Sequence, residues 1–81
     1  MSWNYRVIEF VELGVGPFRQ VHEVYYDEDG RPVSYSEGPA VVVWDVGEEG
    51  GGYDILQKMT RALDKPALVE MDFITARKGE E

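Results

Sequence analysis

A short turn between two β-rich segments constrains the fold of this chain more than any other feature. The turn is Asp27-Glu28-Asp29-Gly30, with Asp first and Gly last, as in a type I β-turn. The preceding segment, residues 18–27, is rich in Val and Tyr, which favour strands, and in the following segment, residues 31–37, Val33 and Tyr35 alternate with serines. The pattern therefore predicts a β-hairpin, with Gly30 in the left-handed conformation of a three-residue loop.

The register of this hairpin is left open by the sequence. A three-residue loop pairs Tyr25 with Val33, whereas a loop longer by one residue pairs Val24 with Val33. This slip reverses which side chains are buried. Because Pro32 cannot donate to a ladder, the third strand is expected at an edge of the sheet, or to begin at that proline.

Three further segments complete the predicted sheet. Residues 3–13 read as a first strand, which a Gly-Val-Gly-Pro turn at residues 14–17 ends. Its apolar phase slips after Val7, which indicates a bulge or burial on both faces. The uncharged, β-branched run at residues 40–44 is placed inside the sheet, since exposure would favour aggregation. Residues 68–74 are expected to form a last short strand.

One segment has helical spacing. Its apolar side chains recur at a spacing that forms a single stripe, at Ile55, Leu56, Met59, Ala62 and Leu63. The sequence thus predicts an α+β fold: an antiparallel β-sheet of three to five strands with one α-helix, residues 53–63, packed on one face. Residues 1–75 are expected to form a single domain, and residues 76–81 a charged flexible tail.

Composition excludes several classes of protein. The chain has no cysteine, so disulfides and thiolate metal sites are impossible. No apolar run approaches the roughly 20 residues of a membrane span. The first residues lack the charged and then apolar layout of a signal peptide, so we predict a cytoplasmic location.

The charge is unevenly distributed. The net charge is −8, of which residues 1–50 carry −7, from ten acidic and three basic side chains. Residues 51–81 carry −1. Direct binding to nucleic acid is disfavoured, because such proteins present a basic face. A basic protein partner fits the acidic half better.

No catalytic or ligand motif is complete. Asp27, Asp29 and Gly30 resemble part of a calcium loop, but the Gly and Glu positions that such a loop needs do not match. Neither glycine cluster, at residues 14–16 or 50–52, has the context of a phosphate loop. His22, the only histidine, has no fixed base or third group in its spacing, so we expect a half-exposed strand histidine. We predict no enzyme activity, no cofactor and no metal site.

Three segments of the chain carry a resemblance. They are the NYRVI run beginning at Asn4, the HEVYYDEDGRPVSY run from His22 to Tyr35, and ALDKP at residues 62–66. Together they resemble a group of small uncharacterised bacterial proteins without an assigned activity. The resemblance implies a β-hairpin sheet followed by one helix, which in the similar proteins begins soon after the position of Asp45 in an Asp-x-x-Glu cap. The glycines at residues 50–52 depart from that pattern and predict a later start here.

The sequence favours a non-catalytic protein-binding module that engages a basic protein surface. The predicted contact residues lie on the acidic, aromatic hairpin: Glu23, Tyr25, Asp27, Glu28, Asp29, Tyr35 and Glu37. Nucleic-acid-binding proteins are among the partners that this interpretation allows, whereas direct nucleic-acid and membrane contacts are not expected. The chain is predicted to be a monomer or weak homodimer. The alternatives are a nucleic-acid-mimicking inhibitor of the phage anti-CRISPR type, since strand carboxylates two residues apart approach phosphate spacing, and a small enzyme centred on His22.

Overall fold

The computed structural model describes residues 2–73, which form a four-stranded sheet and a helix of twelve residues and confirm the α+β class. The strand predicted for residues 68–74 is limited to its first two residues, because the chain becomes helical again at residues 70–73. The order of strands in the sheet is β3-β2-β1-β4. Residues 76–81, predicted as a tail, lie outside the described residues. In chain order the elements are β1 (Ser2–Glu12), β2 (Gly16–Tyr26), β3 (Pro32–Tyr35), α1 (Gly51–Ala62) and β4 (Leu68–Val69).

A long, regular hairpin joins β1 and β2. Its register is unbroken and places Phe10 opposite Phe18. The connecting turn uses positive φ angles at Gly14 and Gly16, which glycine adopts without strain. Val7 and Ile8 point to opposite faces, and both are buried. Burial on both faces therefore explains the phase slip in β1, since no bulge interrupts its pairing with β2.

The β2–β3 hairpin has the predicted turn, and the pair next to it, Tyr26 with Pro32, has the register of the three-residue loop. Beyond that pair the register is shifted by one residue, which neither alternative anticipated. The amide of Gly30 donates to the Asp27 carbonyl at 3.0 Å, and Gly30 has a φ of 80°. Val24 lies opposite Tyr35, and a bulge at Val33 restores the pairing of Tyr26 with Pro32. The Asp27 amide donates to the Arg31 carbonyl and so closes the loop. Because the loop is closed there, the extra residue is accommodated in β3 as a bulge.

The core lies on the face formed by even-numbered residues of β1 and β2. Its centre is Ile8, Val24 and Phe73, against which other partly buried apolar side chains pack: Phe10, Tyr26, Tyr35 and Leu68. The segment that covers this face returns along β1, and β4 pairs with β1 in parallel at Ile8 and Glu9. The sheet is consequently mixed rather than purely antiparallel.

The prediction for the apolar run at residues 40–44 was wrong. The run does not form a strand, and its valines and Trp44 are exposed. The Ala40 amide still donates to the Val21 carbonyl at 2.7 Å, so the segment leaves the edge of β2 after a single bond. A β-branched apolar run cannot by itself distinguish a strand from an extended connection, and this one links the sheet to α1.

The helix begins at Gly51, two residues before the predicted start. Its glycines have a packing role, because a Cβ on Gly52 would lie 2.6 Å from the Trp44 ring. Asp45 and Glu48 form an isolated turn upstream, with the Glu48 carboxylate accepting from the Asp45 amide at 3.3 Å. That bond is half of a capping box, but the helix starts only after Gly50. Within residues 2–73, no helix is long and apolar enough to cross a membrane.

Candidate protein-binding site

Two of the predicted contact residues engage each other on the odd-numbered face of β2. The Tyr25 hydroxyl donates to Glu23 Oε1 at 2.7 Å. This hydrogen bond, together with desolvation and the carboxylate charge, raises the pKa of Tyr25 above its ordinary value. In the neighbouring strand, Trp3 lies opposite Tyr25 and Tyr5 opposite Glu23. Glu23 and Tyr25 therefore lie on the face opposite the core.

The acidic hairpin tip has a structural as well as an electrostatic role. Asp27 Oδ1 accepts from the amides of Asp29 and Arg31, both at 2.9 Å. The bond from the Arg31 amide is the main reason that the pKa of Asp27 is lowered. Asp29 is paired with the Arg31 guanidinium at 2.9 Å. Of the three carboxylates at the tip, only Glu28 is exposed without an ion pair or hydrogen bond among the described residues.

Tyr35 and Glu37 lie apart from the hairpin tip, in a surface depression of about 480 Å³ that we name the acidic groove. It contains three carboxylates, while neither Lys nor Arg lines it within the part of the chain that the structure describes. Its lining residues come from both long strands, from the end of β3 and the segment after it, and from the segment that follows β4: Phe10, Val11, Glu12, Phe18, Gln20, His22, Tyr35, Glu37, Pro39 and Glu70.

Aromatic rings form the floor of the acidic groove. The Phe10 ring stacks on Phe18 with centroids 5.7 Å apart, and it also contacts His22 and Tyr35 at 5.4 and 5.8 Å. Tyr35 in turn packs edge-on against Phe73 at 4.8 Å. Such tilted and offset contacts are favourable for aromatic pairs. The floor is thus continuous with the hydrophobic core, which fixes its shape.

His22 is a buried member of this floor, not the half-exposed residue predicted. Only 2% of its surface is accessible. Its Nδ1 lies 3.0 Å from the Ser36 carbonyl oxygen and 3.1 Å from the Ser36 hydroxyl oxygen. Its Nε2 lies 3.0 Å from Gln20 Oε1. Both ring nitrogens therefore have protein partners, and the ring ties β2 to the residue that follows β3.

The three carboxylates of the groove differ in how they are held. The Tyr35 hydroxyl donates to Glu70 Oε2 at 3.4 Å. Burial, followed by the Glu70 charge, raises the pKa of Tyr35. Glu12 and Glu37 are exposed, and neither carboxylate takes part in an ion pair or hydrogen bond among residues 2–73. Both are available to a cation.

The other candidate sites are turns. No group of three side chains among the described residues is arranged to hold a metal ion. Asp27 and Asp29, which resembled part of a calcium loop, direct their carboxylates to the turn and to Arg31. The first glycine cluster forms the β1–β2 turn, and the second begins α1 beneath Trp44.

Sequence reasoning missed most of the acidic groove. It named Tyr35 and Glu37 but not Glu12, Phe18 or Glu70. One signal was present: the Gly14–Gly16 turn sets the β1–β2 register, which brings Phe10 opposite Phe18. Glu70 carried no such signal, because its position depends on the parallel pairing of β4 with β1.

Comparison with known proteins adds no assignment. No protein-family model matches the chain, and neither a curated protein nor a solved structure is significantly similar to it.

Proposed function

We propose that the protein is a small binding module whose acidic groove accepts a basic segment of a partner protein. The observation that carries the proposal is the combination of an aromatic floor with three carboxylates, without Lys or Arg among the lining residues that the structure describes. A Lys or Arg side chain can lay its apolar stem on Phe10 and Phe18 while its charged end meets the carboxylates.

The rigidity of the floor supports this choice over the hairpin tip. His22 and Tyr35 are held by hydrogen bonds and ring contacts, so the groove does not have to be ordered when a ligand arrives. Preorganisation reduces the entropic cost of binding. At the tip, Asp27 and Asp29 already bond to the turn and to Arg31, which leaves Glu28 as the available carboxylate.

No observation in the described residues favours the nucleic-acid mimic. Mimicry requires carboxylates in one row, whereas Glu23 lies on the odd-numbered face and Glu37 lines the acidic groove beside Tyr35. The two functions also differ in a measurable way. Binding of a basic protein that survives saturating DNA or RNA would count against mimicry and agree with the groove.

The direct test uses an amidated peptide of alternating Arg and Gly and measures its Kd by calorimetry at low and physiological salt. The double variant Glu12→Lys with Glu37→Lys reverses the charge at the two groove carboxylates that have no partner among residues 2–73. We expect it to weaken binding about tenfold or more. Higher salt is expected to weaken binding to the unaltered protein, because exposed charges are screened.

A matched control keeps the net charge of the variant the same. Glu28→Lys with Glu49→Lys makes an identical charge change at two exposed positions outside the groove. We expect this control to lose less than about threefold in affinity, through the long-range field alone. Equal losses in both variants would mean that the peptide senses only net charge, and the groove proposal would then be wrong.

A further inference from the structure

A second groove lies at the opposite end of β1 and carries the opposite charge. This basic groove has a volume of about 430 Å³, and no carboxylate lines it among the described residues. Trp3 and Tyr5 meet in it edge-on, with ring centroids 5.3 Å apart, and Trp3 is half exposed. Its lining residues are Trp3, Asn4, Tyr5, Lys58, Arg61, Ala62 and Lys65.

The groove lies against a stretch of β1 that has an open edge. Three consecutive residues of this strand, Trp3, Asn4 and Tyr5, line the groove. On the side of β1 away from β2, β4 pairs only with Ile8 and Glu9. Within residues 2–73, the first residues of β1 thus have a strand neighbour on the β2 side alone.

The facing wall is a single stripe of α1 and the turn that follows it. Lys58, Arg61, Ala62 and Lys65 have the i, i+3, i+4, i+7 spacing of one helical face. Lys58 is paired with Asp54 at 3.1 Å, whereas Arg61 and Lys65 have no ion pair among the described residues. Ala62 is buried beside these cations, and its small side chain leaves the groove open between them.

We propose that the basic groove accepts an extended acidic peptide, which adds to the open edge of β1 as a further strand. Unpaired backbone groups on a strand edge are a template for such an addition. Alternate acidic side chains of the peptide would meet Arg61 and Lys65, and the intervening apolar side chains would pack on Trp3. The expected occupant follows from the charge of the groove, which is complementary to an acidic strand.

The dimensions fit this occupant. The strand residues Ser2 to Tyr5 are three steps apart and span about 10 Å, at about 3.3 Å per residue. The helical residues Lys58 to Ala62 span about 6 Å, at about 1.5 Å per residue, and Lys65 lies three residues further along the chain. The helix dipole accounts for basic residues near the end of α1, but it does not account for an unpaired strand edge beside them. The net charge of −8 also disfavours a long nucleic acid in this groove.

The test uses three capped peptides, each measured by calorimetry against the full chain. The first alternates Glu and Val over eight residues, the second replaces Glu by Gln, and the third repeats the first with alternate backbone nitrogens methylated on the pairing edge. We expect the first to bind and each of the other two to bind at least about tenfold more weakly. Methylation removes backbone donors without changing charge, so it isolates strand addition from electrostatics.

Variants of the protein give the second arm. Arg61→Glu with Lys65→Glu is expected to weaken the Glu–Val peptide about tenfold or more. The matched control, Arg19→Glu with Arg31→Glu, makes the same charge change at exposed positions outside the groove and is expected to lose less than about threefold.

Three results would overturn the proposal. One is that the methylated peptide binds as tightly as the first peptide, which would mean that charge attraction accounts for binding without strand pairing. Another is equal loss in the groove variant and its control. The third is that no peptide binds but the protein self-associates, and that Arg61→Glu with Lys65→Glu abolishes this self-association. A second copy of the chain would then be the occupant of the groove.

Discussion

The two grooves of this protein are built on the same strand but from different parts of the fold. The floor of the acidic groove consists of buried His22 and of partly buried rings that pack on the core, including Phe10. The basic groove lies between the first residues of β1, which have no strand neighbour beyond β2 within residues 2–73, and a helical stripe with exposed cations. The hydrophobic core therefore maintains the shape of the acidic groove, whereas the basic groove lacks such support. We expect local stability to be higher at the acidic groove.

The largest expected effect tests this difference in support. His22→Ala removes a buried ring and leaves the partners of both ring nitrogens, Gln20 and Ser36, unsatisfied. We expect the free energy of unfolding to fall by about 2–4 kcal/mol, measured by urea denaturation. Trp3→Ala, which truncates a half-exposed ring in the basic groove, is expected to cost only about 1 kcal/mol. Equal losses would contradict the contrast.

A smaller effect concerns the helix that forms the basic wall. Gly52→Ala adds a methyl group where the Trp44 ring lies, so the ring must move away. The gain in helix propensity, up to about 1 kcal/mol, offsets much of the lost packing. We expect unfolding free energy within about 1 kcal/mol of the unaltered protein and a red-shifted Trp44 emission, measured in a Trp3→Phe background. Unchanged emission would show that Trp44 does not pack on the helix.

A pH experiment separates the hairpin tip from both grooves. Because folding lowers the pKa of Asp27, its contribution to stability is complete above the ordinary value of 3.8 and is lost as the pH falls through the lowered value. Asp27→Asn removes this ionisation. We therefore expect the unfolding free energy of the unaltered protein to fall more steeply below about pH 4 than that of the variant. Parallel curves would mean that Asp27 has no such role.

The smallest expected effect is the influence of one groove on the other. Glu12→Lys with Glu37→Lys is expected to change the affinity of the Glu–Val peptide by less than about twofold at physiological salt. The reason is distance: Tyr5 and Glu12 are seven residues apart on β1, or about 23 Å, which exceeds a Debye length of about 8 Å. A larger change would indicate coupling through the sheet, and repeating the titration at low salt would identify its electrostatic part.

Local patterns predicted the elements of this fold, whereas long-range contacts decided the site. The Asp27–Gly30 turn and the helical stripe around Met59 are short-range signals, and both elements formed where expected to within two residues. The bulge at Val33 and the parallel pairing of Leu68 with Ile8 depend on contacts that no local pattern encodes. The acidic groove combines residues from four segments, so the sequence revealed only Tyr35 and Glu37.

The exposed run at residues 41–43 has a consequence for handling the protein. Three consecutive valines outside the sheet form a segment prone to intermolecular β-stacking. Pro39 on one side and the carboxylates of Asp45, Glu48 and Glu49 on the other act as gatekeepers against fibril growth. The net charge of the chain approaches zero near its isoelectric point of about 4.5. Storage close to that pH therefore removes the colloidal repulsion between molecules, whereas neutral buffers preserve it.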